Sequence, residues 1–327
     1  MDKNIISNLL ENVPQGKVGV LGDFCTDVYW NIVPERGEKS LETGLMTTPV
    51  SSARYSPGGA GNIIANLRGI NMMKMPCFGA IGTDPFGLWL HDQLTHPVPE
   101  YADALLLINR NDYHSPVYCK PLLNGVEQSR IDLGDTPITD SEADKLLKKI
   151  EKILPELKVL IVNEQIRNGI HTPRFREGFA ALVKRFSSEV RFVFDGRDFL
   201  DAYPGVILKI NAHAASRLAF GKDDSLPQES GKAILDNSGQ ELVITDGENG
   251  CYVFEHGKTT HIPAISYSGP VDTVGAGDSF TAGFAYALAG GASMIDAACF
   301  GTCCSAVTIR KLNQTGAPSP QEILDLL

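Results

Sequence analysis

The segment DTVGAGDSF, residues 272–280, sets Gly275, Ala276 and Gly277 between two aspartates, just ahead of TAGFAYAL (281–288), a run with the composition of a buried helix. The first N–H groups of a helix have no partner within it, and the helix dipole leaves partial positive charge at the same end. Glycines there remove the Cβ atoms that would block a charged oxygen from those N–H groups. The chemistry this spacing suits is the binding of a phosphate. Asp278 falls in the first turn of the same helix, where a carboxylate is also an ordinary dipole-compensating residue.

A turn of this kind needs a scaffold that presents helix starts along one edge. β-rich runs recur at 17–23, 76–82, 159–165, 191–197, 206–211 and 242–247, most without clean apolar/polar alternation, and helical patterns such as 141–157 and 174–186 separate them. That is the signature of central strands covered by helices on both faces, hence a largely parallel sheet. Ligands of such sheets gather beyond the carboxyl ends of the strands, where Gly22-Asp23, residues 79–82, Asn163-Glu164, Asp195-Gly196, Asn211 and Thr245-Asp246-Gly247 fall. Residues 28–56 and 115–133 carry β-prone and turn residues without a helix. Two readings are open for them: long surface loops, or strands that project from the main domain as a small β lid, with Asn124-Gly125 as a hairpin turn. The second is preferred, because loops of that length without structure of their own are uncommon. We therefore expect one domain over 1–327 bearing this lid.

Composition narrows the function classes. The 327 residues are 43% hydrophobic and 21% charged, as in an ordinary soluble protein with a sizeable core. The formal charge of -10 disfavours a nucleic-acid partner, whereas a local nest of N–H groups still accommodates a small anion. The opening MDKNIISNLLENVPQG has no basic region followed by an apolar core. The weakly polar stretch 283–307 is interrupted by Asp296 and reads as two tightly packed helices, not a membrane span. Seven scattered cysteines without a Cys-x-x-Cys spacing read as reduced thiols of a cytoplasmic protein.

DTVGAGDSFTAGF resembles the C-terminal signature of the ribokinase-like, or PfkB, family of carbohydrate kinases, and PGGAGNIIANL (57–67) resembles its N-terminal signature. GDFCTDVYW (22–30), the RID segment (130–132) and TDGENGCYVF (245–254) occur in the family's order, and GDxxxDxYW looks closest to the heptose-phosphate kinase branch. The resemblance implies an α/β fold, a three-layer αβα sandwich with a mostly parallel central sheet and a small β-strand lid. It implies an ATP-dependent phosphotransferase acting on a hydroxyl of a sugar or sugar phosphate. In that reading Asp278 is the base that accepts the hydroxyl proton, while N–H groups of Gly275, Ala276 and Gly277 form the anion hole.

The same resemblance assigns the remaining candidates. Asp27 is implied to hydrogen-bond sugar hydroxyls; its alternative is a turn aspartate. Gly58, Gly59 and Asn62 resemble the substrate-binding GG-x-x-N, with Asn62 either capping a helix or reading a hydroxyl. Lys120 and Arg130, on lid strands facing the cleft, either bind a phosphate already on the substrate or are solvated charges. Thr245, Gly247 and Gly250 resemble contacts to the ATP phosphates and ribose, Asn211 joins them, and Thr302 falls where the family places a residue near adenine. ATP and Mg²⁺ are the implied cofactors, with room for a monovalent cation and for a homodimer through the lid. No metal ligand is assigned.

One departure stands out. The family commonly has Asn-x-x-Glu after the strand that here ends at Asn211, and its glutamate helps organise Mg²⁺; this chain reads Asn211-Ala212-His213-Ala214, so the carboxylate is absent unless Asp195 or Asp198 replaces it. That motivates a second reading, a catalytically weak or inactive sugar- and nucleotide-binding sensor, against which Asp278 argues. A dinucleotide-binding oxidoreductase is disfavoured, since the 275–277 turn lacks the later glycine of G-x-G-x-x-G and its acidic ribose partner.

Overall fold

The computed structural model describes residues 3–312 and 316–327. Eight strands form the main sheet, in the spatial order Lys258–Ile262, Cys251–Glu255, Leu242–Thr245, Ile207–Asn211, Arg191–Asp195, Val159–Asn163, Val18–Gly22 and Cys77–Phe78. The six from Leu242–Thr245 onward run parallel; at the other edge Cys251–Glu255 pairs antiparallel with Leu242–Thr245 and Lys258–Ile262 pairs antiparallel with Cys251–Glu255. Val18–Gly22 and Val159–Asn163 are buried at every position, which is why they read as unbroken apolar runs and not as alternating ones.

Helices cover both faces. On one, Ile63 and Leu67 of Ala60–Gly69, Phe284 and Tyr286 of Ala276–Ala289 and Phe300 of Met294–Thr308 pack on Val20, Ile161 and Val243. On the other, Leu146 and Ile150 of Asp140–Ile153 and Phe175 and Phe179 of Pro173–Phe186 pack on Leu21, Val162 and Leu208. This is the three-layer αβα sandwich. The helical stretch 283–307 resolves into Ala276–Ala289 and Met294–Thr308, and no helix among the described residues is long and apolar enough to cross a membrane.

The run 76–82 differs from expectation. Cys77–Phe78 ends the main sheet, but Ala80–Gly82 leaves it and pairs in parallel with Leu106–Ile108. The break falls at Gly79, where a Cβ would lie 2.5 Å from the Phe24 ring and 2.6 Å from the Gly22 carbonyl oxygen, so only glycine fits there.

A second sheet grows directly out of the first. Only Asp23 separates Val18–Gly22 from Phe24–Ile32, which runs antiparallel to Val50–Gly59 and parallel to Val117–Leu123. Val126–Glu127 and Ile131–Leu133 pair with the last of these strands. Between Leu123 and Val126, Asn124 and Gly125 have φ of 51° and 81°, the positive pair that a type I′ hairpin turn requires. Residues 33–49 carry only the short turn Pro34–Arg36 and a bridge between Lys39 and Met46, so this part of 28–56 is mostly loop. Val28, Val117 and Cys119 pack one face of the sheet against Trp30 and Phe86.

Asp23 is the joint. Its buried carboxylate accepts N–H bonds from Gln165 at 2.9 Å, Ile166 at 3.0 Å and Ile170 at 3.0 Å. Its own N–H reaches the Asn163 carbonyl at 3.2 Å, and its carbonyl accepts from Ala60 N at 3.0 Å.

Candidate active site

Two helices begin at the carboxyl edge of the main sheet, and each is started by a glycine that no other residue replaces without strain. Gly275, at φ 78°, precedes Ala276–Ala289, and Gly59, at φ 56°, precedes Ala60–Gly69. A Cβ on Gly59 would also run into the Asp23 carbonyl oxygen. Asp272 holds the first turn in shape by accepting the Val274 N–H at 3.0 Å.

Across the gap between these helix starts, Asn62 Nδ2 donates to Asp278 Oδ2 at 2.6 Å. Asn62 is therefore no cap: Gly59 occupies the cap position of its helix, without a side-chain bond. The Asp278 carboxyl titrates high, at about 6, because burial and the neighbouring Asp195 charge disfavour its ionised form more than Asn62, Lys209 and Arg197 favour it.

Lys209 is a residue the sequence reading passed over. It lies in the Ile207–Asn211 strand, 5% exposed, with its ammonium 3.0 Å from Asp195 Oδ2 and 3.2 Å from where a Cβ on Gly277 would stand. The same Asp195 oxygen accepts the Thr281 hydroxyl at 2.7 Å. A buried cation thus sits beneath the glycine turn, adding positive charge where the N–H groups already favour an anion. Its signal was present, since a lysine inside the apolar run VILKIN has to find a carboxylate.

Gly275, Gly277, Asp278, Asp195 and Lys209 line one cavity of 1060 Å³, together with Thr245, Gly247, Gly250, Asn211 and Thr302. The volume and the cationic turn fit a nucleoside triphosphate. Gly250, at φ 93°, leaves no space for a side chain beside the Ile262 carbonyl. Asn211 Oδ1 caps the Ala212–Phe220 helix by accepting the Ala214 N–H at 2.8 Å, and the Thr302 hydroxyl donates to its own helix at Ala298 O, 2.8 Å. Ala214 packs against the apolar cluster. Asp195 does not replace the absent carboxylate as a free group, since Lys209 and Thr281 already occupy its Oδ2, and Asp198 is exposed.

On the second sheet, Asp27 Oδ1 pairs with Lys120 Nζ at 2.8 Å. Gly58 makes room for this carboxylate, because a Cβ there would stand 2.6 Å from Asp27 Oδ2. Burial alone would lower the Lys120 pKa, but the hydrogen bond and charge of Asp27 outweigh it and hold the ammonium above its usual range. Lys120 also lies 3.2 Å from the Tyr29 hydroxyl, and Arg54 stacks on that ring at 3.9 Å. Arg130 departs from expectation: it precedes the Ile131–Leu133 strand instead of lying on one, and it is tied to Asp132 at 2.6 and 2.7 Å while stacking on Tyr118.

Comparison with known proteins adds to this geometry. Residues 198–322 match the model of the pfkB family of carbohydrate kinases. The bifunctional protein HldE of Photobacterium profundum is 24% identical over 310 residues, covering 93% of this chain and 62% of that protein. An uncharacterized sugar kinase of Buchnera aphidicola is 26% identical over 307 residues, covering 93% of this chain and 94% of its own. The chain thus spans less than two thirds of the HldE relative. Among solved structures, the Arabidopsis thaliana ribokinase complexed with ribose and ATP matches with a TM-score of 0.70 at 20% identity, over 95% of this chain and 98% of that one. The Cryptococcus neoformans ribokinase in complex with ADP gives 0.66 at 20% identity, over 96% and 100%. The fold is that of the ribokinases.

Proposed function

We propose that this chain is a ribokinase-like carbohydrate kinase that transfers the γ-phosphoryl group of ATP to a hydroxyl of a sugar or sugar phosphate, a reading supported by the match of residues 198–322 to the pfkB family and by the ribokinase fold. The observation that carries the reading is the Asn62–Asp278 bond of 2.6 Å beside the 275–277 turn, which sets a high-titrating carboxylate next to an anion site. The acceptor lies against Asp27, Gly58 and Gly59, and the nucleotide fills the cavity over Thr245, Gly247, Gly250, Asn211 and Thr302. The acceptor oxygen bonds to the γ-phosphorus as the bond to the β–γ bridging oxygen breaks. ADP leaves with that electron pair, and the hydroxyl proton passes to Asp278.

A base titrating at about 6 is mostly ionised at neutral pH yet basic enough to take the proton late in the transfer. N–H groups of Gly275, Ala276 and Gly277, with Lys209 beneath them, oppose the charge on the phosphoryl oxygens. Mg²⁺ bound with the nucleotide would supply further neutralisation, and Ala214, standing where a carboxylate is expected, would offer it no ligand. The setting is the cytoplasm, consistent with seven free cysteines. The edge of the second sheet, where Val126, Ile131 and Leu133 are exposed, favours a homodimer through that sheet.

Ala214 also keeps a second reading in play, a sensor that binds sugar and nucleotide with weak or no turnover. An ATP-consumption assay over a panel of sugars and sugar phosphates separates the two. Turnover on one acceptor, lost in Asp278→Asn, is the expected result; nucleotide and sugar binding without turnover on any acceptor overturns the kinase reading in favour of the sensor.

A further inference from the structure

Arg197 lies in the turn after the Arg191–Asp195 strand and lines the same cavity as Gly275, Gly277, Asp278 and Lys209. Its backbone is fixed from below. Glu164, 1% exposed, accepts through Oε2 the N–H groups of Arg197 at 2.7 Å, Asp198 at 2.8 Å and Phe199 at 3.4 Å. A buried carboxylate that gathers consecutive N–H groups holds the turn in one conformation, because opening it would leave a charge and its donors unpaired together.

The side chain above is held differently. Arg110, Arg130, Arg174 and Arg185 each pair with a carboxylate. Arg197 is exposed, and its Nη2 donates at 3.0 Å to Gln165 Oε1, a neutral acceptor that lines the same cavity. Its charge is therefore not cancelled by an ion pair among the described residues, whereas that of Lys209 is shared with Asp195.

We infer that Arg197 is a further catalytic residue, a guanidinium that leaves Gln165 to bind the γ-phosphoryl oxygens of the nucleotide opposite the 275–277 turn. The inference rests on the kinase reading. Charge on a transferring phosphoryl group is spread over three oxygens, and N–H groups at one helix start reach only part of it. A planar fork with two parallel donors suits the remainder. Gln165 is a latch that releases the guanidinium more readily than a carboxylate would, so the arm is parked within reach of the cavity between turnovers. The Arg197 charge also favours the ionised form of Asp278, which links the arm to the base.

The test compares binding of ADP and of a non-hydrolysable ATP analogue with an imido β–γ bridge, each with Mg²⁺, to the wild type, Arg197→Ala and Arg197→Lys by calorimetry. In Arg197→Ala, ADP affinity should stay within about twofold while the triphosphate analogue weakens by about tenfold or more, the loss expected of a charge-assisted bond. Arg197→Lys should recover part of it. On any acceptor that is turned over, the acid limb of kcat/KM should move up in Arg197→Ala, since a cation near the base is gone. An unchanged ratio of the two affinities, or an equal loss of both, overturns the inference. A wild type that binds neither nucleotide instead overturns the kinase reading on which it rests, and the inference falls with it.

Discussion

Asn62 and Asp278, 216 residues apart, meet side chain to side chain at 2.6 Å and join the first turns of two helices whose glycine starts, Gly59 and Gly275, both have positive φ. The Asn62 amide favours the ionised carboxylate, so Asn62→Ala should push Asp278 higher than about 6. The acid limb of kcat/KM should move up by about one pH unit, the size of a typical hydrogen-bond contribution to a pKa. Turnover should then fall more at pH 6 than at pH 8. A pH–rate profile checks it, and an equal loss at both pH values would assign Asn62 a purely structural part.

Asp278→Asn keeps the size of the side chain and its Asn62 contact but removes the proton acceptor. Turnover should drop by about 10²–10⁴-fold, with nucleotide affinity retained. Stability should move the other way. A carboxyl whose folded pKa lies above its unfolded one binds protons more tightly when folded, so its ionisation costs stability as pH rises from the ordinary 3.8 through about 6. Asp278→Asn should therefore raise Tm at pH 7.5 and raise it less at pH 4.5, as read by calorimetric scans.

Lys209 and Asp195 have side chains only 7% and 12% exposed. Lys209→Met should cost about 3–5 kcal/mol of stability, because it strands a buried carboxylate. Adding Asp195→Asn should recover much of that, since the second change removes the stranded charge. Urea midpoints of the single and double variants measure the difference, and additive losses would mean the two do not act as a pair.

Asp27→Ala should raise the acceptor KM by about tenfold or more, while the ADP affinity stays within about twofold, because the hydrogen-bonding partner lost belongs to one subsite. It also frees Lys120, so a phosphorylated acceptor should lose less than a neutral one. Equal weakening of acceptor and nucleotide would make Asp27 a structural residue.

Gly277→Val places a branched side chain against the Lys209 ammonium, which already lies 3.2 Å from the Cβ position. ADP affinity and turnover should fall together, in contrast to Asp278→Asn, where only turnover falls.

What could be read from the chain depended on how local the cause was. The buried strands Val18–Gly22 and Val159–Asn163 were legible because a parallel strand covered on both faces is apolar throughout. The 141–157 pattern ran past the helix end at Ile153 because Leu157 keeps the apolar spacing, although Pro155 turns the chain into a short 3-10 segment, Leu154–Glu156. The split of 76–82 was hidden, since it follows from pairing with Leu106–Ile108, a distant part of the sequence. The glycine turn and its aspartate are a contiguous motif. Lys209, Glu164 and Arg197 acquire their places only when separate strands bring Asp195, a turn backbone and Gln165 beside them.

The single residue between Val18–Gly22 and Phe24–Ile32 makes the second sheet a lever and Asp23 its fulcrum. Three N–H groups clamp its carboxylate and its own N–H and carbonyl are engaged, so the pivot is anchored to the main sheet. Asp27, four residues out, is about 13 Å along the arm at roughly 3.3 Å per strand residue, so a tilt of about 10° carries it roughly 2 Å. Lys120 and Arg54, paired beside Tyr29 two residues farther out, sweep a proportionally longer arc. Small angular changes at Asp23 are therefore magnified at the Asp27–Lys120 pair and at the Tyr29–Arg54 stack beyond it.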